Sequence, residues 1–182
     1  MAEAVPFSPV KLICGIIAAQ YDVFSRSAAY LTERFGPIDF SSGFIEFEFT
    51  DYYEKQMGKG LKRKFVSFRD MMAPENLSEA KIQTNSLEDE IKKEFGSVER
   101  PVNLDPGYIT PAALVMATAK DFAHRIPLQK GIYAHLEFLF GKNDVKILDW
   151  TYPDFRTEEY QRFFLEVRKI YLQQLKIVRI ES

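Results

Sequence analysis

The run Lys11-Leu12-Ile13-Cys14-Gly15-Ile16-Ile17-Ala18-Ala19 is almost continuously apolar. It is far shorter than the ~20 residues a membrane-spanning helix needs. A short run without alternation suits a strand buried on both faces, at the centre of a sheet. The pattern on either side of it fits that reading. Asp22 is placed to cap a helix that closes at Gly36-Pro37, with Phe24, Ala28, Leu31 and Phe35 on one face. From Gly43 to Thr50 the chain alternates, Ile45, Phe47 and Phe49 pointing one way and Glu46, Glu48 and Thr50 the other. Gly58-Lys59-Gly60 is a turn signal, and Leu61 to Phe68 returns as the second arm of a long hairpin.

Pro74 opens a helix that runs to Phe95 and stops at Gly96. Its apolar stripe is Leu77, Ala80, Leu87, Ile91 and Phe95, and Asn85-Ser86 is where it would divide. A strand around Val102 to Leu104 completes a split βαβ pattern. Thr110 to Lys120 is compatible with helix or strand, and the surrounding meander favours strand. Gly131 to Phe140 reads as a strand, Gly141 to Asp144 as a turn, and Val145 to Trp150 as its partner. Thr157 caps a last helix that buries Tyr160, Phe163, Phe164, Val167, Tyr171 and Leu175. The expected fold is α+β: an antiparallel-rich sheet with about three packed helices, a ferredoxin-like split βαβ start, then a β-meander and a C-terminal helix. Residues 1–9 are expected to be a flexible N-terminal arm, and 10–182 a single domain.

Composition narrows the function. A chain of 182 residues with 46% hydrophobic side chains can build its own core without staples. A formal net charge of -2 lacks the basic excess of a nucleic-acid binder. The single cysteine, Cys14, cannot form an internal disulfide, which suits a reducing compartment, so a cytoplasmic protein is expected. Its setting is that of a small buried hydrophobe. No membrane segment or basic signal-peptide head is visible.

Familiar catalytic motifs are missing from the sequence. Gly58-Lys59-Gly60-Leu61 lacks the hydroxyl and the spacing of a phosphate-binding P-loop. There is no dinucleotide fingerprint, no guanine-reading Asn-Lys-x-Asp, no nucleophile elbow and no His-Glu-x-x-His helix. One cysteine and two histidines make a structural zinc site a poor reading, and no metal ligands are assigned.

Polar clusters remain. In Arg100-Pro101-Val102-Asn103-Leu104-Asp105-Pro106-Gly107-Tyr108 the Asp-Pro-Gly sequence predicts a tight turn, with Asn103 and Asp105 leaving one face. That is a structural turn or the edge of a site. His124-Arg125, with Lys120, Asp121 and Lys130, could bind phosphate or carboxylate, or be a solvated loop. Tyr133, His135 and Glu137 share a strand face, as an acid–base or metal row would, and as the wet face of an antiparallel sheet would. Asp149-Trp150-Thr151-Tyr152-Pro153-Asp154-Phe155-Arg156 suits a planar ligand or a packed corner. Glu46 and Glu48 could hold a divalent cation. The cations Lys55, Lys59, Lys62, Arg63, Lys64 and Arg69 could meet phosphate or keep a hairpin soluble.

Asn103-Leu104-Asp105-Pro106-Gly107-Tyr108 resembles the signature of an uncharacterised prokaryotic family of domains of unknown function. The likeness runs from about Val10 to Tyr171. It includes His124-Arg125, Lys130-Gly131-Ile132-Tyr133-Ala134 and Trp150-Thr151-Tyr152-Pro153-Asp154. Members often bear the label "GTP-binding protein". The family brings no established activity or cofactor with it.

Two functions fit these residues. One is a small-ligand protein, or an enzyme acting on an anionic or phosphorylated substrate. Asp105, His124 and Asp154 would be its acid–base groups, and Asn103, Tyr108, Arg125, Lys130, Trp150 and Arg156 its ligand contacts. The other is a non-catalytic interaction module or accessory subunit. The first requires Asn103, Asp105, His124, Arg125, Asp154 and Arg156 to converge on one concave site.

Overall fold

In the computed structural model, residues 3–48, 54–96 and 98–181 are described. Phe49 and Thr50, the last positions of the predicted alternation, lie outside them. The strand β1 (Lys11–Ala18) is buried at all of its positions because both faces are covered. Leu12, Cys14, Ile16 and Ala18 point to one side, against Val23, Phe24 and Leu31 of α1 (Tyr21–Phe35). That face also holds the stripe Ala80, Leu87 and Ile91 of α3 (Leu77–Glu94), which follows the short α2 (Glu54–Met57). Ile13 points to the other side, among Tyr160, Phe163, Phe164, Val167 and Tyr171 of α4 (Glu158–Glu181).

The strands are β2 (Ile38–Ser41), β3 (Ile45–Glu46), β4 (Lys62–Phe68), β5 (Val102–Ile109), β6 (Ala113–Thr118), β7 (Ile126–Pro127), β8 (Tyr133–Phe140) and β9 (Val145–Ile147). They form one open sheet in the order β2-β4-β1-β5-β6-β8-β7, with β3 on β4 and β9 on β8. Every pairing is antiparallel. The segment β2-β4-β1-β5, with α1 and α3 over one face, is the expected split βαβ arrangement. The meander follows as β5-β6-β8, so residues 113–118 are strand rather than helix.

Several local expectations are corrected. Helix α1 starts at Tyr21 after Gln20, which makes no side-chain cap. Asp22 instead sits in the first turn, where a carboxylate faces the positive end of the helix dipole. Gly36 closes the helix at φ 90, a conformation L side chains avoid. The long hairpin is replaced by two short pieces, β2 and β3. The ladder breaks at Ser42, whose hydroxyl takes the Phe65 N–H at 2.9 Å in place of a backbone carbonyl. The alternation itself holds, with Ile45 and Phe47 buried and Glu46 and Glu48 exposed. Helix α3 runs unbroken past Asn85 and Ser86 after a 3₁₀ turn at Pro74–Asn76.

The largest correction is Asp105-Pro106-Gly107. It is not a turn but the middle of β5, paired with β1 from Val102↔Ala18 to Ile109↔Lys11. Proline has no N–H to give a ladder, and here β5 has no second neighbour at that position: β6 joins only from Gly107 onward. Gly107 is there for close approach, since a Cβ would lie 2.6 Å from the Val115 carbonyl oxygen.

Candidate functional site

The sheet splits where β5 loses β6. On the open side of β5, Leu104 donates its N–H to Glu88 Oε1 at 2.7 Å and accepts from Lys81 Nζ at 2.7 Å. Two side chains of α3 thus stand in for the missing strand and satisfy groups that would be costly to bury unpaired. The split opens into a cavity of about 560 Å³. Its walls include Arg63, Lys81, Arg100 and Lys120, the carboxylates Asp105, Glu137 and Asp154, and the rings of Phe47, Tyr152 and Phe155.

Asp105 is the hub of one side. It accepts from Asn103 Nδ2 at 2.7 Å and lies 3.4 Å from Arg63 Nη2 and 3.7 Å from Lys81 Nζ. Arg63 also pairs with Asp154. Arg100 bridges Glu88 at 2.8 Å and the Asn103 side-chain oxygen. Burial pushes the Asp154 carboxyl above the usual range, against the pull of Arg63 and with a further push from Glu137. Glu88 is likewise raised by burial, with Lys81 and Arg100 drawing it back.

The other side is built on β8. His135 and Glu137 are 1% and 0% exposed, so the wet-face reading of this row is wrong. Loop 148–154 covers the row: Tyr152 donates its N–H to Glu137 Oε1 at 2.7 Å and Thr151 bonds the Glu137 carbonyl. Arg125 Nε donates to His135 Nδ1 at 3.3 Å, and His124 Nε2 lies 3.1 Å from the same atom. A guanidinium can only donate, so Nδ1 is an acceptor and neutral His135 carries its proton on Nε2. That nitrogen faces Glu137 Oε2 at 3.0 Å, yet neither of these buried atoms has a hydrogen-bond partner. Aromatic rings hold both imidazoles: His124 stacks on Trp150 at 5.0 Å and His135 on Tyr152 at 5.2 Å. Desolvation lowers the His124 pKa, and His135 and Arg125 lower it further. Tyr152 is raised by burial, with Arg125 pulling it back.

Among the residues singled out from sequence, Asn103, Asp105 and Asp154 line the cavity. His124 and Arg125 reach its walls from the rim through His135 and Tyr152. Trp150 supports His124 and donates its indole N–H to the Leu136 carbonyl at 2.7 Å. Three lie elsewhere. Tyr108 packs with Leu77, Ala117 and Ile132. Lys130 pairs with Glu79 at the surface. Arg156 bonds the carbonyls of Thr151 and Asp149 at 2.9 and 3.0 Å, fastening its own turn. The sequence does not single out Lys81 or Glu88, hidden in a helix, and leaves Arg63 in a cation run that could meet phosphate or keep a hairpin soluble. Among the described residues no group of three or more His, Cys, Asp or Glu could hold a metal ion, and no helix is long and apolar enough to cross a membrane.

Fold and cavity together define an α+β protein with an open antiparallel sheet split over a polar, charge-lined cleft. The chain belongs to the DUF4416 family, a domain of unknown function whose model matches residues 8–171. No curated protein and no solved structure matches it.

Proposed function

We propose that the cleft between β5 and β6 binds a small anionic molecule, such as a phosphorylated or carboxylated metabolite, on which the protein acts. The observation that supports this most is the lining: the cations Arg63, Lys81, Arg100 and Lys120 outnumber the carboxylates Asp105, Glu137 and Asp154. A partly desolvated site with excess positive charge favours an anion strongly. Phe47 and Tyr152 supply apolar walls for the rest of the ligand. Asp105, His124 and Asp154 are the acid–base groups of this reading, with Arg125 steering from the rim. The reading includes a cytoplasmic, prokaryotic protein and Asn103–Tyr108 as the family's signature. The "GTP-binding" label of similar chains, if it describes this one, would require guanine recognition unlike that of P-loop proteins.

A titration of sulfate, phosphate and small dicarboxylates followed by thermal unfolding tests the reading. Saturable stabilisation is expected in the wild type and loss of it in Lys120→Glu. Equal shifts in both proteins would count against it. One observation favours the alternative, an interaction module. Phe122, Ile126 and Leu128 are exposed beside the cleft mouth, as a partner-binding rim would be. Phe122→Ser, Ile126→Ser and Leu128→Ser would then abolish partner capture without touching anion binding.

A further inference from the structure

Inside the cleft wall, His135 Nε2 and Glu137 Oε2 are fully buried, 3.0 Å apart, and unsatisfied. Such atoms are rare in a folded chain and mark a place where something changes. Their connection outward is through His124, which is half-exposed and reaches His135 Nδ1 at 3.1 Å. We propose that the His135–Glu137 pair takes up a proton through His124 when an anion enters the cavity, making the cleft a proton-coupled anion site. This rests on the anion-binding reading above and adds its regulation.

The transfer balances atom by atom. The acid form of the buffer, or hydronium in bulk solvent, gives one proton to His124 Nδ1 and is left as its conjugate base. The Nε2 proton of His124 passes to His135 Nδ1. His135 hands its own Nε2 proton to Glu137 Oε2, 3.0 Å away, so the pair holds one proton more. Arg125 loses an acceptor at Nε but keeps the Lys120 carbonyl at 2.7 Å and the Tyr152 hydroxyl at 2.5 Å. Neutral His135 beside ionised Glu137 is a net negative wall that repels an anion. With the extra proton the wall is neutral. The other charges around it are His124 and Arg125 from the loop before β7, Asp154 after β9, and Arg63, Asp105, Lys81 and Arg100 across the cavity. Lys120 stands after β6. An anion among them raises the proton affinity of the pair, and by linkage the proton raises the affinity for the anion.

Isothermal titration with sulfate, which keeps its charge between pH 6 and 8, tests this in buffers of different ionisation heat. The wild type is expected to take up as much as about one proton per sulfate, with affinity falling up to about tenfold per pH unit. Glu137→Gln, checked for folding by near-ultraviolet circular dichroism, should bind sulfate without uptake and without that pH dependence. Wild-type binding with no uptake overturns the coupling alone. Uptake that persists in Glu137→Gln shows that Glu137 is not where the proton ends and overturns the relay too. Absence of sulfate binding overturns the anion reading itself. Imidazole nitrogen spectra of the wild type need no variant. Neutral His135 should be protonated on Nε2, and sulfate should move protonation to Nδ1. An Nδ1-protonated ring without sulfate, or a spectrum sulfate leaves unchanged, would sink the relay.

Discussion

Gly107 lies so close to Val115 that a Cβ on residue 107 would meet the Val115 carbonyl oxygen at 2.6 Å. This contact is where β5 and β6 close after the split. Gly107→Ala meets the Met116 thioether, which can swing away, and also the Val115 carbonyl and the Met116 Cα, which are backbone and can yield only if the strands part. The expected cost is about 1–3 kcal/mol, read as a lower midpoint in urea unfolding. Pro106→Ala, one residue away on the open side, should cost only about 0.4–1 kcal/mol, mainly through a freer unfolded chain. A reversed ranking would mean that Asp-Pro-Gly is a turn after all.

Phe65 touches Phe155, Tyr160, Phe163 and Phe164, with ring centroids 4.7 to 5.8 Å away, and is wholly buried. It ties β4 to α4 under the site. Phe65→Ala is expected to lose about 3–5 kcal/mol of stability by leaving a cavity in that cluster. Val5→Ala, in the exposed N-terminal segment, should stay within about 0.5 kcal/mol. Equilibrium denaturation distinguishes the two.

The apolar code of this chain was legible because periodicity reports burial. β1 and the stripes of α1, α3 and α4 were visible in the spacing of Leu12, Phe24, Leu87 and Phe164. What could not be read was pairing. Asp-Pro-Gly has turn chemistry, and only the absence of a neighbour on one side lets it run straight as strand. His135 and Glu137 alternate as a wet face does, and their burial depends on loop 148–154 folding over them, a contact distant in sequence. Arg63 sits between two half-buried lysines, Lys62 and Lys64, and its partners Asp105 and Asp154 lie 42 and 91 positions away. Asp105 and Asp154 carry visible chemistry in the sequence, and Arg63 stands in a cation run that fits either phosphate or solvent; Lys81, on one turn of a helix with no motif around it, gives no such signal.

Burial raises the Asp154 and Glu88 pKa values above their ordinary ones. Between the ordinary carboxylate values and the raised ones the folded chain therefore holds more protons at these groups than the unfolded chain. Their contribution to stability is fully present below the ordinary carboxylate pKa and is lost as pH rises through the raised values. Unfolding free energy measured from pH 4 to 7 should show this negative slope component. Asp154→Asn should flatten it, even though it also weakens the pair with Arg63. An unchanged slope in the variant would mean that Asp154 ionises as it does in water.

A fluorescent GTP analogue with magnesium should show no micromolar, guanine-specific binding. The chain has neither a glycine-rich phosphate loop nor an Asn-Lys-x-Asp guanine reader. Competition by GTP but not ATP at micromolar concentration would refute this.

The central claim is that an anion enters the split between β5 and β6, and amide chemical shifts during a sulfate titration test it most directly. Saturable shifts are predicted at Asn103–Asp105, Ala117–Lys120 and Tyr152–Asp154, all with one dissociation constant, and in Lys120→Glu these should weaken together. Shifts scattered over Lys59, Lys92 and Lys93 at the surface, with none at Asp105 or Asp154, would contradict the account.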